Sequence, residues 1–256
     1  MSNTFTVDGL DDAIKSLEQL AGDLPKRALA DALNHTANQA RIALKESMNN
    51  VFKDPTPWTL NSIHIQNAKP SDLTATVWVK DVSGNKNNQS AENYLLPHVE
   101  GGERTSRKSE NYLRSAGILP LNRYIAPARD MQLDPYGNIP RGTMGKILSG
   151  LKAFNTSGSD HNATHSKRSA AKRNAQRFFV MRDKAGQGIG IAERTGKTIK
   201  LLIWFVSEPR YSERFDFYGI TRKFVESDGL LEENINIAIT KALNGETPSN
   251  WERRKK

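Results

Sequence analysis

Leu10, Ile14, Leu17 and Leu20 recur at spacings of four and three residues, while Asp11, Lys15 and Glu18 fall on the other side. This is the period of an amphipathic helix, and Asp8 or Asp11 supplies an anionic cap for its unpaired N–H groups. A second, longer stripe follows from Leu29 through Leu33, Ala37, Ala40, Leu44 and Met48 to Val51. It predicts a helix over 25–52, opened by Pro25 at a first-turn position where a missing N–H costs little. Ala30, Ala32 and Ala43 lie beside the stripe, so a sheet of the same chain or a helix of another subunit could approach closely.

Pro55 and Pro57 in "DPTPW" end that helix, because proline disfavours helical geometry in the residue before it. The pattern then changes to a period of two. Leu73, Ala75, Val77 and Val79 alternate with Thr74, Thr76, Trp78 and Lys80, and "NSIHIQNA" precedes them across Lys69, Pro70 and Ser71. An antiparallel hairpin with one buried face is expected. After the polar loop 83–90 comes "NYLLPHVEGGER", read as an apolar strand that Glu100 ends. Gly101 and Gly102 then let the chain leave the sheet sharply, which makes these three residues a candidate assembly hinge.

Residues 103–175 are charged and punctuated by proline and glycine, with short helical patches at about 108–116 and 141–154. They read as an inserted arm ending in the polar loop 155–166. Strand patterns return at "RFFVMRD", "GIGIAER" and "IKLLIWFVSE", with turns from Gly186, Gly188 and Gly196. A final helical stretch to about Leu243 is expected to bend near Asp228 and Gly229, and 246–256 is a basic tail. Runs of helices, then strands, then strands and a helix argue for an α+β fold on a mostly antiparallel sheet. The expected division is a core of 1–102 and 176–245, an inserted 103–175, and the tail.

Composition adds the partners. At 256 residues the chain can bury a real core, yet 37% hydrophobic and 25% charged residues and a mean hydropathy of −0.63 leave much of it for solvent or other proteins. A net charge of +9 favours a polyanion or an acidic protein surface. The absence of cysteine excludes disulfides and thiolate chemistry. The apolar runs are far short of a membrane helix, and the first residues lack the pattern of a secretory signal, so a protein made in a cytoplasm and independent of membranes is expected.

Lys167, Arg168, Lys172, Arg173 and Arg177 lie close together with no acidic residue between them. They are the candidate contact for DNA phosphate or an acidic partner, against the plainer reading of a solvated face. His161 and His165 stand four apart in loop-like sequence without the glutamate of a zinc-protease motif, and His35, His64 and His98 are scattered, so no metal is expected. The glycines at 186, 188 and 190 sit between two strands, where a phosphate cradle needs a strand and a helix. Adjacent carboxylates such as Asp11 with Asp12 and Glu232 with Glu233 point apart on a helix. No nucleophile-elbow sequence is present, so neither catalysis nor a cofactor is expected.

In order along the chain, four segments resemble the tail-completion and minor tail protein Z families of tailed bacteriophages. They are "ALADALNHTANQARIALKESM", the hairpin "TLNSIHIQNA…DLTATVWVK", "LLPHVEGG", and "ERTGKTIKLLIWFVSEPRYSERFDF" running into the last helix. The resemblance covers about 1–102 and 176–245, with 103–175 as an insertion. It implies a non-enzymatic α+β module of the virion neck or tail, assembled as a homo-oligomeric ring against portal, connector, tail terminator or tail tube proteins, with genomic DNA in the channel. The alternative is a free nucleic-acid-binding protein that uses 167–177.

Overall fold

The computed structural model describes residues 2–5, 24–80, 90–154, 177–226 and 229–244. Helices are kept apart from antiparallel sheets, which is the α+β organisation expected. The chain forms two compact units, Met1–Glu100 with Glu213–Lys256, and Gly101–Ser212. The helix expected at 8–20, most of the 83–90 loop and the basic tail lie outside the described residues.

The first unit is built on helix α1 (Leu24–Val51), which buries Leu29, Leu33, Ala37, Ala40, Leu44 and Met48, the stripe read from the sequence. Each fully buried leucine or methionine contributes roughly 1.5–3 kcal/mol. Beyond it Asp54 takes φ +47° ahead of Pro55, and a one-turn helix, α2 (Pro57–Leu60), is capped by the Thr56 hydroxyl. Strands β2 (Ile63–Gln66) and β3 (Ala75–Val79) form the expected hairpin, with β1 (Ser2–Phe5) on the other side of β3. Ala75, Val77 and Val79 share a core with Ala37, Ala40 and Leu44, so α1 packs on its own sheet. Its small residues serve a second purpose: Ala28 and Ala32 meet Ala238 of helix α7 (Leu230–Leu243). There the buried Asn234 amide donates to Thr36 Oγ1 and Gln39 Oε1, each at 2.9 Å. Helix α6 (Phe217–Glu226) precedes α7, and the break between them contains Gly229 at φ +74°.

One element differs in type. Residues Ala91–Val99 form a helix, α3, where a strand was expected. Ala91 and Leu95 are buried four residues apart with Tyr94 and Val99 packed beside them, a helical spacing that the contiguous apolar run conceals. Pro97 sits in the last turn, and the carbonyl it leaves unpaired belongs to exposed Asn93, where water can reach it.

The second unit corrects the expected boundaries. Residues 103–154 are not an excursion from a core, because β5 (Tyr124–Pro127) is hydrogen-bonded to β8 (Thr198–Val206) in a sheet ordered β5-β8-β7-β6. Strands β6 (Phe178–Arg182) and β7 (Gly188–Thr195) complete it, so the late strands form a sheet separate from that of β2 and β3. Helices α4 (Lys108–Ser115) and α5 (Arg141–Gly150) supply Leu113, Ile147 and Leu148 to a core with Ile125, Ile191, Leu202, Ile203 and Phe205. A bulge between Ile191 and Ala192 lets adjacent Leu202 and Ile203 both be buried. Two short strands, β4 (Gly102–Glu103) and β9 (Arg210–Tyr211), pair where the chain enters and leaves this unit.

Candidate functional site

The predicted hinge falls on the border of the two units. Glu100 ends α3 with its N–H bonded to the Leu96 carbonyl at 2.9 Å, and Gly101 and Gly102 follow at φ +72° and +91°. This is the left-handed exit that a helix C-terminus commonly makes with glycine. The glycines thus leave a helix, not a sheet as expected.

On the first unit's side, the incoming and outgoing segments are tied at one residue. The His98 carbonyl accepts from the N–H groups of Arg214 and Phe215, each at 2.9 Å, and its ring Nδ1 accepts from Arg214 Nε at 3.1 Å. The Arg214 guanidinium also lies 5.1 Å from the centre of the Phe52 ring. Burial, and next the Arg214 charge, bring His98 down to about 4. Its imidazole is therefore neutral at pH 7 and keeps Nδ1 open as an acceptor. On the second unit's side the register Gly102↔Tyr211 and Glu103↔Arg210 holds the same two segments together.

Inside the second unit lies a compact polar network. Glu110 is fully buried and takes Arg104 in a fork, Nη1 to Oε2 at 2.9 Å and Nη2 to Oε1 at 2.5 Å. Its oxygens also accept from Arg107 N at 2.7 Å and Ile125 N at 3.0 Å, so one carboxylate anchors the start of α4 and the edge strand β5. Arg104 and Arg114 both face the Tyr124 ring, at 4.8 and 5.1 Å from its centre, and the Tyr124 hydroxyl donates to Glu208 at 2.6 Å. With four hydrogen bonds on two oxygens, Glu110 is engaged in structure and offers nothing to a substrate.

Of the basic run, Arg177 alone is described, and it forms an ion pair with Glu193. Lys167, Arg168, Lys172 and Arg173 lie outside the described residues, as do His161 and His165. Arg177 stands at a cleft of about 710 Å³ whose walls carry Lys146, Lys200, Asp130 and Glu193. Asp130 accepts from Leu201 N at 3.2 Å, so both acids of the cleft already have partners. The 183–187 turn is a hairpin connection, as expected: the Asp183 carboxylate takes the N–H groups of Ala185 and Gln187 that a phosphate would need.

His35, His64 and His98 are half-buried, and no three potential metal ligands cluster among the described residues. No described helix is long and apolar enough to cross a membrane. Sequence reasoning missed the Arg104–Glu110 pair and the His98–Arg214 contact. The second joins residues more than a hundred positions apart, and no local pattern announces it.

No family model, curated protein or solved structure matches this chain.

Proposed function

We propose that the chain is a non-enzymatic structural subunit of a phage virion, which completes or joins the neck or tail by forming a ring with copies of itself and adjoining connector or tail subunits. The observation that carries this reading is convergence. Of the four segments that carry the resemblance to tail-completion proteins, the alanine-rich helix, the hairpin and the apolar part of "LLPHVEGG" pack in the first unit, together with the last helices, although residues 101–212 separate those helices from them in sequence. The correction to the domain boundaries modifies what the resemblance implies: the "TIKLLIWFV" strand belongs to the second unit, so that unit is a folded body and not a tether. Repetition around a ring turns modest contacts per subunit into a stable joint, which suits a polar chain with dispersed apolar surface.

The test is to locate the subunit in purified particles. A tagged copy is expected as a ring at the head–tail joint, and particles made without the protein are expected to carry unjoined heads and tails. A protein that stays monomeric and is absent from mature particles would overturn the reading. In that case the free nucleic-acid binder acting through 167–177 is the rival, and it loses binding when Lys167, Arg168, Lys172 and Arg173 are replaced by alanine.

A further inference from the structure

The first unit carries a second basic surface that the 167–177 run does not include. Arg41 and Lys45 stand one turn apart on α1, so their side chains share a line. Lys45 reaches the end of α2, its Nζ donating to Asn61 Oδ1 at 2.9 Å. His64 of β2 lies opposite Trp78 of β3 in the sheet register, with ring centres 5.6 Å apart. Lys80 follows two residues after Trp78, and its ammonium lies 5.7 Å from the centre of the Trp58 ring. Trp58 is 46% exposed. These groups come from α1, α2 and the β2–β3 hairpin, and they collect beside β2, an outer strand of its sheet.

What marks this surface is the lack of compensation. Among the described residues no carboxylate lies in ion-pair range of Arg41, Lys45 or Lys80, whereas Arg104, Arg177, Arg210 and Arg222 each have one. Arg41 donates to Asn38 Oδ1 at 2.6 Å, yet its Nε is buried without a partner. His64 feels the accumulation: burial first, then Lys80, Arg41 and Lys45, all lower its pKa, with no opposing acid among the described residues. Three cations with no described carboxylate beside them, around exposed and half-exposed indoles, form the combination that holds single strands, with charges tracking phosphates and an aromatic face taking a base. A duplex keeps its bases stacked and leaves the indole unused.

We propose that this face binds single-stranded nucleic acid, with Arg41, Lys45 and Lys80 on phosphates and the Trp58 indole stacked on an unpaired base. The proposal does not depend on assembly, since every residue belongs to one unit of one chain.

The test uses the full-length protein and a labelled single-stranded oligonucleotide, titrated by anisotropy at several salt concentrations. Each phosphate contact contributes about 0.7 to the log-log salt slope for a single strand. Replacing Lys45 and Lys80 together by alanine is expected to flatten the slope by about 1.4, while Lys146→Ala with Lys200→Ala in the second unit leaves it unchanged. Trp58→Ala is expected to weaken binding about 5- to 150-fold, the range for loss of one stacked base. The wild-type protein supplies a readout free of folding effects: on saturation the His64 imidazole, which faces Lys80, Arg41 and Lys45, should titrate at higher pH than in the free protein. Affinity should rise reciprocally as pH falls. An unchanged slope in the double variant, tighter binding to the matching duplex with Trp58 indifferent, or binding of polyglutamate in preference to the oligonucleotide would each overturn the proposal.

Discussion

Arg104 and Glu110 meet through two parallel hydrogen bonds in the interior of the second unit, and Glu110 has no exposed surface. Because the carboxylate also takes the N–H groups of Arg107 and Ile125, the pair joins the start of α4 to strand β5. Burial pushes the Glu110 carboxyl up, but hydrogen bonds from Arg104, Ile125 and Arg107, with the Arg104 charge, outweigh it and hold the group below the ordinary carboxylate value.

Glu110→Gln is therefore expected to leave a buried guanidinium without its counter-charge and to destabilise the second unit by about 3–5 kcal/mol. Amide exchange of Ile125 should accelerate with it, since that N–H loses its charged acceptor. A depressed carboxyl contributes stability above its unfolded value, about 4.3, and loses it as pH falls below that value through the folded one. Denaturant midpoints measured from pH 6 to pH 3 should fall in the wild type through this contribution, and less in the variant. Equal slopes would show that the pair does not govern acid sensitivity.

His98 predicts a different window. Its folded value of about 4 lies below the ordinary 6.5 of a free imidazole. Between these limits the unfolded chain takes a proton that the folded one refuses, so stability is full above about 6.5 and declines as pH falls toward 4. Arg214 is exposed, which screens its share of the effect. Asparagine can still accept from Arg214 without titrating, so His98→Asn should flatten the stability profile between pH 7 and 4.5. Arg214→Gln should move the His98 imidazole resonance titration upward, toward the ordinary value.

Glycines in the second unit separate close packing from tolerance. A Cβ on Gly190 would stand 2.3 Å from the Ile203 carbonyl oxygen, a backbone atom of β8 that cannot move alone. Gly142 of α5 has open space and no special backbone angle. Gly190→Ala is expected to cost at least the 1–3 kcal/mol typical of overpacking, and Gly142→Ala to gain about 0.5–1 kcal/mol from helix propensity. Melting curves of the two variants should shift in opposite directions.

These contrasts mark what the sequence could convey. Period and punctuation sufficed for α1, for the β2–β3 hairpin and for β6 to β8, because each is set by neighbours within one element; near Gly229 they gave a bend where the chain forms two helices. The α3 helix was missed because "YLLPHV" is apolar at nearly every position and contains a proline, so neither period stood out. The second unit was missed as a unit for another reason. Leu113, Ile147 and Ile203 belong to one core but come from short elements spread over 90 positions, and no local pattern tells that they meet. The charge network around Glu110 and the uncompensated face around His64 are likewise properties of tertiary placement. Gly101 and Gly102 do turn the chain with left-handed backbone angles, while the element before them was misread, since glycine marks a backbone conformation whichever element it follows.

That backbone conformation permits a decisive test of the assembly reading. At φ +72° and +91°, Gly101 and Gly102 occupy a region where a β-branched side chain is strained by roughly 1–3 kcal/mol per residue. A Cβ on Gly102 would meet nothing within 4 Å, so the penalty there is conformational and not steric crowding by neighbours. Replacement of both by valine should thus re-aim the chain at the border of two units whose own cores, around Leu44 and around Ile203, remain intact. If the subunit acts by presenting both units to neighbours in a ring, incorporation into particles should collapse while the melting transitions of the cores shift only modestly. Exchange of Gly102 for alanine, which is less strained, should be intermediate. Equal losses of folding and assembly would assign the glycines to stability alone and leave the hinge without a role.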